Sequence, residues 1–259
     1  MTWRLGVVGS PIVHSLSPQL HEAGLKLAGL EGASERVELG EGDAVALYAM
    51  MGERFDALSV TMPLKHVAAT LCDSLDGAAA RIEVVNSLLV RDGHLHGACT
   101  DGPGLLMSLG NEFGFAPRGQ RVVVVGAGGA AREIVDALIE AGVSSVSILG
   151  RTPARVAELT DRYENVDDHA DTGAEVGLVV NATPASRDTQ DELVPGVTKD
   201  TIAVDVAYEP RLTPWRSLYD EAGCRTTNGL GMLAYQAALQ MRWWWDVEID
   251  GARLLEVIS

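Results

Sequence analysis

Arg121-Val122-Val123-Val124-Val125-Gly126-Ala127-Gly128-Gly129-Ala130-Ala131 is the stretch that decides the fold of this chain. Its run of valines suits a strand covered on both faces. A Gly-x-Gly-x-x-Ala turn follows, and a helical pattern then extends to about residue 141. Gly126 permits the tight turn, Gly128 lets the backbone approach a bound group, and Ala131 lets the helix pack close to the strand. The first N–H groups of that helix and its positive dipole end suit a phosphate. Glycine is common in this chain, at 28 residues, so the pattern alone would read as an ordinary turn. Its place between a strand and a helix predicts a dinucleotide site instead, carried by Gly126, Ala127, Gly128, Gly129 and Ala130.

The end of the next strand selects the dinucleotide. An NAD site places Asp or Glu roughly 20 residues after the glycines, where it binds the ribose 2′-OH. Here the strand predicted over 145–149 runs into Gly150-Arg151-Thr152, with no carboxylate. Arg151 can grip a 2′-phosphate through a charge-assisted bidentate pair, with Thr152 adding a hydroxyl and Arg155 a second cation. The alternative is a solvated helix face. The pattern predicts NADP.

Working outward, short β-branched runs alternate with helical patterns, which predicts an α/β fold with mainly parallel sheets. Before the glycine turn, strands are expected at 5–9, 35–39, 57–61, 84–91 and 95–99, and helices at 18–29, 42–51 and 63–71. Ser17 before Pro18 reads as a helix N-cap with proline in the first turn. Asp92-Gly93 is a hairpin signal. Beyond it, strands are expected at 178–180 and 202–206, and helices at 232–245 and 252–258. No Pro/Ser-rich linker marks a boundary. The shift in motif content places one domain at 1–103 plus 229–259 and a Rossmann domain at 104–228.

Bulk properties narrow the partners. The chain has 259 residues, 47% of them hydrophobic and 22% charged, within the range of folded proteins. Its formal net charge of −16 disfavours nucleic acid and anionic membranes. Any anionic ligand therefore needs a local cationic or donor-rich pocket. Cys72, Cys99 and Cys224 are widely spaced and form no CxxC pair, so they read as packing residues. His94 and His96 share one side of a strand without a convincing third ligand, and no metal is expected. The apolar stretch near the N-terminus is too short for a signal peptide, and a cytoplasmic location is expected. Trp243-Trp244-Trp245 cannot all face one core, so at least one should cover a domain seam or a partner. A homodimer is left open.

The remaining unusual motifs are Ser15-Leu16-Ser17-Pro18, Val60-Thr61-Met62-Pro63-Leu64-Lys65, Val85-Asn86-Ser87, Thr100-Asp101-Gly102 and Asn228-Gly229-Leu230-Gly231-Met232 with Gln236 beyond it. In order and spacing, together with the glycine turn, they resemble the shikimate dehydrogenase family (shikimate and quinate dehydrogenases) across nearly the whole chain. The resemblance implies an N-terminal substrate domain, an NADP-binding Rossmann domain, and C-terminal helices returning to the first. It also implies reduction of 3-dehydroshikimate to shikimate with NADPH, within aromatic amino acid and chorismate biosynthesis. By position, Ser15 and Ser17 would hold the substrate carboxylate, and Thr61, Lys65, Asn86, Asp101 and Gln236 the ring hydroxyls. Asn181, Thr183, Val206, Gly229 and Met232 would line the coenzyme, with Tyr208 close to the substrate. The chain departs from the family at Cys99 and Gly150, where asparagine is common, and at Ala185-Ser186-Arg187, where a Gly-Met pair is usual.

The residue types suit that chemistry independently. Hydride transfer at a ring carbon requires proton exchange at its oxygen, so a group within hydrogen-bond reach must trade that proton. Lys65 is the natural candidate, with Asp101 orienting it. A neighbouring carboxylate favours the ammonium form and burial favours the neutral amine, so the sequence leaves open which of the two moves the proton. Taken alone, Lys65 would be a solvated helix residue and Asp101 an ordinary turn residue. Asn86 in an apolar strand is harder to explain away, because a buried amide must find partners. A quinate or amino-shikimate dehydrogenase and a non-catalytic ligand sensor are the alternative readings.

Overall fold

In a computed structural model the described residues are 2–169, 174–184 and 192–259. The chain divides into two compact units, one formed by residues 1–107 and 233–259, the other by 108–232.

The first unit is built on a six-stranded mixed sheet. Its strands are β1 (Thr2–Gly9), β2 (Glu31–Glu38), β3 (Ala57–Val60), β4 (Ser74–Leu75), β5 (Ser87–Arg91) and β6 (His94–Ala98), in the order β2-β1-β3-β5-β6-β4. β1 runs parallel to β2 and β3, and β5 runs antiparallel to β3 and β6. The hairpin between β5 and β6 turns on Asp92 and Gly93, both with positive φ (53° and 80°), the backbone that an Asp-Gly pair tolerates best. Helices α1 (Ser17–Ala28), α2 (Ala44–Met50), α3 (Lys65–Leu71) and α4 (Gly77–Ile82) connect the strands. Val8, Leu58, Leu64 and Leu88 are fully buried within one hydrophobic cluster of this unit.

Two local expectations change. Ser17 is not the cap of α1: the cap position is Leu16, with no side-chain capping bond, and Ser17 is already helical. The Ser17 N–H instead reaches Ser15 Oγ at 3.3 Å, so the hydroxyl two residues earlier takes the capping role. The strand expected over 84–91 begins only at Ser87, because residues 84–86 cross from α4 into the sheet.

The second unit carries a fully parallel sheet of β7 (Arg121–Val125), β8 (Ser145–Leu149), β9 (Val166–Asp167), β10 (Leu178–Asn181), β11 (Ile202–Asp205) and β12 (Arg225–Asn228), in the order β12-β11-β10-β7-β8-β9. The strand order reverses at β7, which lies between β10 and β8. Such a switch point opens a crevice at the carboxyl ends of the strands. Val122 to Val124 are at most 2% exposed, in keeping with a central strand covered on both faces. Helices α5 (Asp101–Phe113), α6 (Gly129–Glu140), α7 (Pro153–Thr160), α8 (Pro214–Glu221), α9 (Leu230–Trp245) and α10 (Gly251–Ile258) complete the chain. Among the described residues no helix is long and apolar enough to cross a membrane.

Candidate active site

At the carboxyl edge of the first sheet, loops from distant parts of the chain meet. Ser10 N–H donates to the Met62 carbonyl at 2.9 Å, tying the turn after β1 to the turn after β3. A Cβ added at Gly9 would lie 2.4 Å from Thr61 Cγ2, so only glycine lets these two turns approach so closely. Beyond them α3 starts at Lys65, and α5 starts at Asp101, shortly after β6.

Lys65 and Asp101 form an ion pair there, with side chains 10% and 14% exposed. That burial separates this lysine from the solvated helix residue its type alone suggests. Asn86, 2% exposed, is the hub of the cluster. Its Nδ2 donates to Asp101 Oδ1 at 2.6 Å and to Thr100 Oγ1 at 2.9 Å, and reaches Gln236 Oε1 at 3.4 Å. Its Oδ1 accepts the Thr100 N–H at 2.9 Å. A buried amide with every polar atom engaged holds a rigid position, and it bonds Asp101 Oδ1 while Lys65 pairs with Oδ2. The outcome is a directed set of donors and acceptors in which an ammonium and a carboxylate share a shielded edge.

Four of the expected residues, Lys65, Asn86, Asp101 and Gln236, are therefore joined by direct contacts. Thr61 lies on the same sheet edge, half-buried, its N–H bonded to the Val8 carbonyl. Ser15 lies between β1 and α1 and Ser17 opens α1, with Ser17 buried and Ser15 half-buried. Arg36, on β2, clamps the Ser15 carbonyl through Nε and a terminal nitrogen at 2.8 and 2.6 Å. Arg36 lies outside the motifs, and Thr100 lies within one that gives it no role. Thr100 was visible as the residue before Asp101, but the role of Arg36 depends on the pairing of β2 with β1, which carries no local signal.

In the second unit, the expected residues gather along the carboxyl edge of the parallel sheet. Backbone bonds beyond the strand ends link the loops: Gly126 N–H to Leu149 O, Ala182 N–H to Val125 O, and Val206 N–H to Asn181 O, all 2.8–2.9 Å. Gly126 has φ +114°, a backbone that disfavours any side chain, and Gly128 caps α6 without a side-chain bond. A Cβ added at Gly128 meets nothing within 4 Å, so open space lies above Gly128 at the start of the helix. Ala127, Gly129 and Ala130 flank it, all half-buried. Arg151, Thr152 and Arg155 follow β8 and are exposed, and neither arginine pairs with a carboxylate among the described residues. Gly150 has a packing reason: an added Cβ would lie 2.6 Å from Val156 Cγ2.

Asn181, 1% exposed, accepts from the Thr183 N–H and hydroxyl at 3.1 and 2.6 Å. Asp205, a buried carboxylate the motifs left without a role, bonds the Ala207 N–H, the Thr213 hydroxyl and Asn181. Burial raises its pKa, opposed by those hydrogen bonds and by the charge of Arg216. Asp205 thereby stiffens the segment that leads to Val206 and Tyr208. Gly229 packs so tightly on Val206 that an added Cβ would overlap its carbonyl oxygen, and Met232 is buried beyond it. The Ala185-Ser186-Arg187 departure lies outside the described residues.

No group of three metal-ligating side chains exists among the described residues. His96 Nδ1 meets Ser74 Oγ at 2.7 Å. None of the three cysteines is in a disulfide, and burial, with the charge of Asp73, pushes the Cys72 thiol up to about 12, which favours its protonated form at neutral pH.

Residues 7–88 match the family model described as the shikimate dehydrogenase substrate binding domain, and residues 111–211 match that of shikimate/quinate 5-dehydrogenase. A curated relative from Exiguobacterium sp. (strain AT1b), named shikimate dehydrogenase (NADP(+)), is 37% identical over 97% of each chain. The crystal structure of shikimate 5-dehydrogenase from Thermus thermophilus in complex with NADP(H) and shikimate aligns with a TM-score of 0.87 and 34% identity, covering 99% of this chain and 98% of its own. Ligand-free 5-ketofructose reductase of Gluconobacter sp. strain CHM43 aligns at 27% identity and a TM-score of 0.83, over 100% of this chain and 98% of its own. With two family models covering most of its length and a relative matched nearly end to end, the chain belongs to the shikimate dehydrogenase family.

Proposed function

We propose that this chain catalyses the reversible NADPH-dependent reduction of 3-dehydroshikimate to shikimate, with Lys65 and Asp101 handling the proton. The observation that carries the reading is the shielded Lys65–Asp101 pair with Asn86 bonded to the carboxylate. When bound, NADPH supplies the hydride. As the carbonyl carbon gains hydride, its oxygen gains negative charge, and the Lys65 ammonium is placed to neutralise it by giving up a proton. In the oxidation direction the same nitrogen takes the hydroxyl proton back. Asp101 holds the ammonium in place, and Asn86 and Gln236 supply further polar atoms to ring hydroxyls. Ser15, Ser17, Thr61 and Tyr208 are assigned to the carboxylate and the remaining hydroxyls.

The residues of the second unit fit NADP. Its pyrophosphate suits the uncapped start of α6 over Gly128, and its 2′-phosphate suits Arg151, Thr152 and Arg155. The segments carrying Asn181, Thr183, Val206, Gly229 and Met232 are assigned to the nicotinamide end. The division of labour is a substrate domain in the first unit and an NADP domain in the second, whose bounds lie a few residues from the limits of 1–103 plus 229–259 and 104–228 that the motifs suggest.

The test is oxidation of shikimate, quinate and an amino-shikimate by NADP+ or NAD+, followed at the nicotinamide absorbance band. Shikimate with NADP+ is the expected pair. Lys65→Ala is expected to lower kcat by about 10²–10⁴-fold, the contribution of a positioned acid–base group, while the NADP+ dissociation constant stays within about twofold. Near-normal turnover by this variant would remove its proton role, and turnover of none of the three substrates would favour the ligand-sensor reading. The Gluconobacter structure, named for reduction of a different ketone, is a reason to include 5-ketofructose with NADPH in the panel.

A further inference from the structure

Beneath the Lys65–Asp101 cluster runs a second set of buried polar side chains, none of which is assigned to substrate. His21 is fully buried in α1, Ser59 is 5% exposed in β3, and Gln240 is 1% exposed in α9. They form a chain whose direction is fixed from one end. The Asn86 carbonyl can only accept, and Gln240 lies 2.8 Å from it, so the amide nitrogen must face that oxygen. Gln240 Oε1 then faces Ser59 Oγ, 2.7 Å away, and the serine hydroxyl must donate to it. With its proton committed, Ser59 Oγ can only accept from His21 Nε2, 2.9 Å away. His21 therefore carries its proton on Nε2, and its bare Nδ1 accepts from Ser34 Oγ at 2.8 Å.

The far end of this chain governs the height of a helix. Gln236, Gln240 and Trp244 follow one another at intervals of four residues on α9, so they share one face. All three are pinned to the first unit: Gln236 to Asn86 and Thr100, Gln240 to Ser59 and Asn86, and Trp244 through Nε1 to Ser87 Oγ at 2.9 Å. The His21 ring meets the Trp244 ring nearly edge-on, with centroids 5.2 Å apart. Apolar packing would hold this face against the sheet but would tolerate sliding. A directed hydrogen-bond chain does not, because a shift would leave buried donors and acceptors unmatched.

We propose that the relay Ser34–His21–Ser59–Gln240 sets the register of α9 on the sheet and thereby positions Gln236 and Asn86, which makes His21 and Gln240 positioning residues for the reaction. The proposal rests on the reading of Lys65 and Asp101 as the acid–base pair, and it goes beyond that reading by assigning a role to groups that touch no substrate.

Two measurements test it. In the ¹⁵N spectrum of imidazole-labelled protein at neutral pH, the His21 resonance, identified by its loss in His21→Gln, is expected to show the neutral Nε2–H tautomer. An Nδ1–H tautomer or a charged ring would overturn the relay without reference to activity. In kinetics, His21→Leu and Gln240→Leu are each expected to lower kcat for shikimate by about 10–100-fold, the cost of a small misplacement of catalytic groups, with KM for NADP+ within about twofold. Because both act through one chain, the double variant should lose no more than about threefold beyond the worse single variant. His21→Gln, which keeps a donor for Ser59, should recover part of the loss. Independent losses that multiply, or wild-type kcat in both single variants, would overturn the positioning role. Lys65→Ala measured alongside separates the two readings. If it stays active, the acid–base assignment fails while the tautomer still judges the relay; if it is inactive and the relay variants are normal, the positioning proposal fails alone.

Discussion

Single residues here take their meaning from burial and partners rather than from type. Lys65 and Arg151 are both cations at the start of a loop or helix after a strand, yet Lys65 is 8% exposed against a carboxylate and Arg151 is exposed with no carboxylate partner among the described residues. The first is held in a shielded ion pair, whereas the second stands open to solvent. A charge-assisted pair contributes about 1.5–3 kcal/mol, so Arg151→Asp is expected to shift the ratio of kcat/KM for NADP+ over NAD+ by at least about tenfold toward NAD+. An unchanged ratio would reject Arg151 as the reader of the 2′-phosphate. The position of Arg151 was legible from sequence because the segment after β8 is fixed by local chain geometry. Arg36 was not, since its grip on Ser15 depends on which strand lies beside β1.

At the scale of elements, the segments with a strong apolar run or a helical period were readable and those without one were not. The strands β1, β3, β7 and β8 and the helix α9 fall within a few residues of their expected limits. β4, β9 and α4, of two to six residues, are too short to show a period and form only because neighbouring elements hold them. Contacts between elements also explain particular glycines. A Cβ at Gly104 in α5 would lie 2.6–2.7 Å from the backbone of Gln236, so α5 and α9 touch through a missing side chain. Backbone cannot rotate aside as a side chain can, and overpacking of this kind costs about 1–3 kcal/mol. Gly104→Ala should therefore lower the thermal midpoint by about 2–10 °C, as read by scanning calorimetry. Gly42→Ala, where an added Cβ meets nothing within 4 Å, is the control and should stay within about 1 °C of wild type. Equal midpoints for the two variants would contradict the contact.

Stability against acid belongs to the whole molecule, and His21 gives it a specific term. Burial pushes its imidazole down to about 3, so the folded protein keeps it neutral while the unfolded chain takes up a proton below about 6.5. The unfolded state then binds more protons, and the contribution present above about 6.5 is lost as pH falls toward 3, amounting to about 2 kcal/mol at pH 5. Comparing urea unfolding at pH 7 and pH 5, His21→Gln should lose less stability on acidification than the wild type; equal losses would refute the assignment. From the sequence alone came the α/β class, the glycine turn at Gly126–Gly128 and the arginine that follows the next strand, because periodicity and turn chemistry are properties of neighbouring residues; Lys65 and Asp101 became candidates through the resemblance to the family. Only the tertiary structure decided that Asn86 and Gln236, 150 positions apart, meet at one sheet edge, and that a buried histidine in the first helix is tied to the inward face of α9. Hydrogen-bond satisfaction in a buried interface is settled by what folding brings together, and no local pattern in the chain records it.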